Sequence, residues 1–139
     1  MSEQPTNRPV PRPTAWSKPY WDAAREERLI IQHCKTCSTK IMNPKQYCPN
    51  CLSDDLGWSA STGLGTVYSY SIQKRSAASP FVGKVPYVVA VVRLEDDVQL
   101  LTNIVGDRAL SVQCGDAVRV AFEPIAGTDI TLPVFELVD

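Results

Sequence analysis

Four cysteines in two tight pairs, Cys34-x-x-Cys37 and Cys48-x-x-Cys51, constrain this chain more than any other feature. Two residues between paired cysteines let one turn aim both sulfurs at a single ion. The ten residues between the pairs let two such turns face each other across a hairpin. Four thiolates complete a tetrahedral shell with no position open for water or substrate, so the site reads as structural and not hydrolytic. Zinc is the expected ion. Iron is its competitor, because tetrahedral sulfur also suits a rubredoxin-type electron-transfer centre. Ordering about 25 ribbon residues at roughly 1.5 kcal/mol each exceeds what the few apolar side chains of residues 30–58 can offset. One zinc contributes about 10–16 kcal/mol of apparent binding in small finger peptides, enough to decide whether such a segment folds.

Thiol pairs bind metal where the compartment keeps them reduced. Met1 to Pro13 has no apolar core of the signal-peptide kind, and the longest apolar run, Val85 to Val92, is too short to span a bilayer. A cytoplasmic protein without a membrane partner is therefore expected. Five cysteines cannot all pair, and Cys114 stands apart. At 139 residues, 44% hydrophobic and 21% charged, the composition is that of one compact globular unit, or of a small one leaning on another. The net charge of −1 supplies no basic excess for phosphate neutralisation, which weighs against a general nucleic-acid binder.

Along the chain, residues 1–16 carry Pro5, Pro9, Pro11 and Pro13 among polar neighbours and are expected to form a flexible tail. Residues 17–29 suit a helix, with Ser17 as N-cap, Pro19 in the first turn, and Trp21, Ala24 and Arg28 on one face. So short a helix needs something to lie against. Residues 30–60 form the metal ribbon. Residues 61–139 give β signals at Gly65–Arg75, Pro86–Glu95, Val98–Val105, Asp116–Glu123 and Ile130–Val138, with Asp96-Asp97 as a hairpin turn. The fold class is mainly β, and five strands fit a small barrel.

Candidates for chemistry beyond the cysteines are few. His33 is the only histidine and borders a shell already filled by sulfur. Cys114 has no second histidine to activate it. Gly63-Leu64-Gly65 leads into a strand and not into a helix, unlike a phosphate-binding loop. Two surfaces suit binding. Tyr20-Trp21 is either core packing or a partner contact, since aromatic anchors serve both. Lys74, Arg75 and Lys84 surround the apolar Phe81, which makes residues 74–85 either a solvated loop or a ligand or partner loop.

An ordered set of motifs over residues 17–137 resembles a family long catalogued as a domain of unknown function. Its members join a rubredoxin-like zinc ribbon to an OB-fold and are associated with acyl-CoA enzymes. The likeness rests on Pro19-Tyr20-Trp21, both Cys-x-x-Cys pairs with Ser53-Asp54-Asp55-Leu56, Gly65-Thr66-Val67-Tyr68-Ser69-Tyr70, and Pro86-Tyr87-Val88-Val89-Ala90. It continues through Leu100-Leu101-Thr102-Asn103-Ile104-Val105-Gly106 and Val118-Arg119-Val120 before Phe122-Glu123-Pro124. One departure is that Ser38 and Leu52 stand where the family often has glycine after each knuckle. A positive φ at Leu52 would cost about 1–2 kcal/mol. The resemblance implies a five-stranded OB-fold barrel and a non-catalytic accessory subunit in a hetero-oligomer. Its partner would be a thiolase-fold acyl-CoA enzyme, a thiolase or a steroid side-chain aldolase. The subunit would stabilise that partner and help shape or channel its acyl-CoA site, with the CoA thioester a candidate contact and a second pathway enzyme a candidate neighbour. The alternative is a nucleic-acid module, since OB-folds and zinc ribbons both serve that role and Tyr68 and Tyr70 could stack on bases.

Overall fold

The computed structural model describes residues 10–74 and 86–138. Its elements in chain order are helix α1 (Lys18–Arg25) and strands β1 (Ile30–Cys34), β2 (Lys40–Ile41), β3 (Leu56–Ala60), β4 (Leu64–Gln73), β5 (Tyr87–Leu94), β6 (Gln99–Val105), β7 (Ala117–Pro124) and β8 (Thr131–Leu137), with a short 3-10 turn at Ala109–Ser111. The first three strands form an antiparallel sheet in the order β2-β1-β3, and the other five close into a barrel in the order β4-β5-β6-β8-β7. The fold is mainly β, with the helix, ribbon and five-stranded barrel expected from the sequence. Among the described residues no helix is long and apolar enough to cross a membrane.

α1 is shorter than the expected span of residues 17–29. Glu27 takes a left-handed φ of 61°, its N–H donates to Ala24 O at 2.9 Å, and Arg28 N–H donates to Ala23 O at 2.9 Å. That pair of bonds is a Schellman ending with glutamate where glycine is usual, so no glycine advertised the stop. Arg28 therefore leaves the helix and pairs with Glu26 at 2.6 Å in solvent. The buried face is Tyr20, Ala23 and Ala24, an i, i+3, i+4 stripe. Ser17 precedes the helix but does not cap it with its side chain. Its Oγ instead accepts the Thr14 N–H at 2.8 Å, which closes a turn within the segment expected to be tail.

Barrel closure follows from strand register. β4 pairs along β5 from Gly65↔Leu94 to Gln73↔Tyr87, with Tyr68 left over in a bulge between Val67 and Ser69. The bulge bends β4 so that its first residues, Leu64 to Thr66, also pair with β7. β8 lies antiparallel to β7 and meets β6 in a short parallel seam at Ile104↔Phe135 and Val105↔Glu136. Pro133 of β8 lacks an N–H, but its carbonyl is still used, accepting from the buried Thr102 hydroxyl at 3.0 Å. Gly63, at φ +75°, turns the chain from β3 into β4 where Val120 fills the space a side chain would need.

The core is continuous across the ribbon and the barrel. Phe135, Val88, Val92 and Val118 fill the barrel, and the same cluster takes in Leu29 and Ile31 of the ribbon approach and Tyr20 of α1. α1 packs on β1, β7 and β8, which supplies the surface that so short a helix needs. In β7 Val118 is buried and Arg119 exposed, but from Val120 to Glu123 the residues on both faces are half-buried.

Candidate metal centre

The two knuckles are built alike from backbone. After Cys34, the Ser38 N–H donates to Cys34 O at 2.9 Å and the Cys34 N–H to Thr39 O at 2.8 Å; after Cys48, Leu52 donates to Cys48 O at 2.9 Å and Cys48 to Ser53 O at 2.8 Å. Each loop also aims an N–H at its first sulfur, Thr36 onto Cys34 at 3.4 Å and Asn50 onto Cys48 at 3.3 Å. This geometry drives the residue after each second cysteine into the left-handed region, with Ser38 at φ 66° and Leu52 at φ 67°. Those are the two positions that lack the family's frequent glycine, and each stores about 1–2 kcal/mol of backbone strain.

All four sulfurs lie within 4.8 Å of one another. Cys34 Sγ and Cys51 Sγ are 3.6 Å apart, as are Cys37 Sγ and Cys48 Sγ. Ligands about 2.3 Å from one ion in a tetrahedron are separated by roughly 3.8 Å, so the cluster has the dimensions of a zinc tetrathiolate. Its donors suit thiolate. Cys37 is lowered to about 5 by the Thr39 hydroxyl, the Asn50 side-chain amide and the Thr39 backbone. Cys34 is lowered chiefly by the Cys37 N–H. Cys51, although the Ser53 N–H pulls it down, is pushed up to about 12 by desolvation and by the neighbouring sulfurs. Four thiols this close cannot all ionise side by side without a cation, and a divalent ion supplies that charge. Cys34 and Cys48 are buried and Cys51 is exposed.

Sequence reasoning missed the clamp that holds the loop between the knuckles. Gln32 is 3% exposed; its Nε2 donates to Lys45 O at 2.9 Å while its Oε1 accepts from Lys45 N at 2.8 Å. One side chain thus replaces a missing strand neighbour. Gln32→Ala should leave both backbone groups unpaired and cost about 1–3 kcal/mol, read as a lower urea midpoint at unchanged m-value; an unmoved midpoint would remove the clamp role. The only advance signal was a polar residue at a core position of β1.

The remaining candidates are dispersed. Tyr20 is buried and its phenol is pushed up to about 12 by that burial. Trp21 stands edge-on to it at 5.1 Å and is half-buried. Tyr20 is therefore a core residue, and only Trp21 keeps a surface to offer. His33 points Nδ1 at Ser59 Oγ at 3.0 Å and is not among the four clustered ligands. Lys74 is exposed just beyond β4, whereas Arg75, Phe81 and Lys84 lie outside the described residues. Cys114 is exposed in the turn before Gly115.

Comparison with known proteins places the whole arrangement. Residues 21–57 match the ChsH2 rubredoxin-like zinc ribbon domain and residues 58–123 the ChsH2 C-terminal OB-fold domain. A solved chain from an Ltp2-ChsH2(DUF35) aldolase superposes with a TM-score of 0.81 at 33% identity, covering 92% of this chain and 98% of that one. This chain belongs to the ChsH2 family of DUF35 proteins. A DUF35-family protein of unknown function from Sulfolobus solfataricus shares the fold, with a TM-score of 0.61 at 14% identity over 91% of this chain and 87% of that one. A probable enoyl-CoA hydratase alpha subunit from Thermomonospora curvata is 36% identical over 84% of this chain, which spans 35% of that protein's length. A DUF35 domain-containing scaffold protein from Methanocaldococcus jannaschii is 29% identical over 76% of this chain and 75% of its own. For a ChsH2-type ribbon, the four clustered cysteines of this chain fit a structural zinc ion, with Cys34, Cys37, Cys48 and Cys51 as its ligands.

Proposed function

We propose that this chain is a non-catalytic accessory subunit that binds a thiolase-fold acyl-CoA enzyme, of the thiolase or steroid side-chain aldolase type. In that role it stabilises the partner and helps shape the partner's acyl-CoA site. The observation that carries this reading is the likeness, over 92% of the chain, to the DUF35 chain of an Ltp2-ChsH2 aldolase. The closed sulfur shell agrees with it, because a shell without an open position holds a fold together and does no chemistry on a substrate. The reducing conditions that keep four thiolates intact suit a cytoplasmic assembly. The test is co-expression with an acyl-CoA aldolase of the same genome: the two chains should elute together at fixed stoichiometry, and the enzyme should lose activity when this subunit is omitted. Separate elution with unchanged turnover would end the proposal.

A second reading has one observation in its favour. Tyr68, in the β4 bulge, is 59% exposed and Tyr70 39% exposed, as a base-stacking platform requires. Binding of a single-stranded oligonucleotide at physiological salt, falling steeply as salt rises, would favour it.

A further inference from the structure

We propose that the second zinc knuckle, from Tyr47 to Asp55, is the surface through which this subunit docks on its acyl-CoA enzyme; the inference rests on the accessory-subunit reading. Both knuckles force the residue after their second cysteine into left-handed backbone and turn its side chain outward. At the first knuckle that residue is Ser38, small and polar. At the second it is Leu52, which is 76% exposed. Among the described residues the non-glycine positions with positive φ are Glu27, Ser38, Asn43, Leu52 and Asp97, and only Leu52 is apolar. A γ-branched apolar side chain here is unfavourable twice over, once for its backbone and once for its exposure, and glycine would relieve both. Of these strained positions Leu52 alone combines the strain with an exposed apolar side chain, which points to a contact.

The neighbourhood has the composition of an interface centre. Tyr47, on the other flank of the same knuckle, is 51% exposed, and between them in the chain Cys51 is the most exposed of the four metal ligands. A partner seated on Tyr47 and Leu52 would cover that ligand. The exposed carboxylates of Asp54 and Asp55 follow directly, and neither enters an ion pair among the described residues. Lys45, exposed just before the segment, places one cation on its other side. On the accessory reading the occupant is the enzyme subunit, and the acidic pair calls for an apolar pocket with a basic rim on the side that meets Asp54 and Asp55. Apolar centres with charged rims are the usual anatomy of such contacts.

Leu52→Gly separates docking from folding, because it should improve one and impair the other. The isolated variant should melt about 3 °C higher with one zinc per chain, while its Kd for the co-expressed aldolase, measured by titration calorimetry, rises about tenfold or more. Leu52→Asn, which tolerates the same backbone, should weaken binding similarly and guards against a glycine-specific loss of order. In the wild-type complex, zinc transfer to a chromophoric chelator should be slower than from the free subunit. Unchanged affinity in both variants would overturn the proposal. So would a self-association of the isolated chain that Leu52→Asn abolishes without affecting enzyme binding, since that would make a second copy the occupant. Failure of the wild-type chain to bind the aldolase at all would instead overturn the accessory reading.

Discussion

Replacing Cys48 with serine should strip zinc from the protein and unfold residues 30–60 while leaving the barrel standing. Cys48 is fully buried, its sulfur sits 3.6 Å from Cys37 Sγ, and its N–H closes the second knuckle on Ser53. The substitution leaves three thiolates and a hydroxyl that is a poor ligand at neutral pH. The apparent zinc energy of a small ribbon, about 10–16 kcal/mol, matches the whole stability of an ordinary domain, about 5–15 kcal/mol, so partial loss of ligation suffices to melt the segment. β4 to β8 keep their own ring of strand pairs and should retain slow amide exchange. α1 should loosen, because it packs on β1 as well as on β7 and β8. Assembly with the partner should fail, and the partner's activity should fall as it does when this subunit is omitted. Hydrogen exchange resolved by segment, with metal content measured on the same sample, checks the result. One zinc per chain together with native protection at residues 30–60 would contradict it.

The second large effect lies in the barrel. Phe135 is 0% exposed and sits in β8 where that strand pairs with Ile104 on one side and Val120 on the other. It thus backs the parallel seam that completes the closure. Phe135→Ala should cost about 3–5 kcal/mol, from lost transfer energy and the cavity left behind, and lower Tm by roughly 10–20 °C. Leu101→Ala is the matched control: Leu101 faces outward from β6 at 73% exposure, and its loss should stay within about 0.5 kcal/mol. Equal effects from the two variants would mean that Phe135 does not organise the core.

The features legible in the sequence are local in character. The cysteine pairs announce themselves because each is one turn long, and the barrel strands do so because Val, Ile and Tyr runs are bounded by turn residues such as Asp96-Asp97. The helix end was hidden, since Glu27 fills the left-handed position that glycine normally marks. Gln32 was hidden for another reason: its partner Lys45 lies 13 residues away, and no pattern of spacing announces a side chain that stands in for a strand. Thr39 and Asn50, which lower Cys37, were within reach because polar residues beside a metal knuckle are the natural donors to its sulfurs. The ambiguity at Tyr20-Trp21 split between the two residues, the first going to the core and the second to the half-exposed surface. The distinction between Ser38 and Leu52 needed both a backbone angle and an exposure before it acquired meaning.

The closed order of the five barrel strands has a consequence for how such a unit travels. Closure of β4 on β7 at Leu64 to Thr66 and of β6 on β8 at Ile104 and Val105 shortens the hydrogen-bonding border that a foreign strand could extend. A barrel closed on itself is easier to splice beside other domains than an open sheet. Its association is then decided by side chains on its faces, which can be exchanged singly without rebuilding the scaffold. Portability of that kind suits a family whose relatives include both a longer hydratase subunit and a scaffold protein of about this chain's own length.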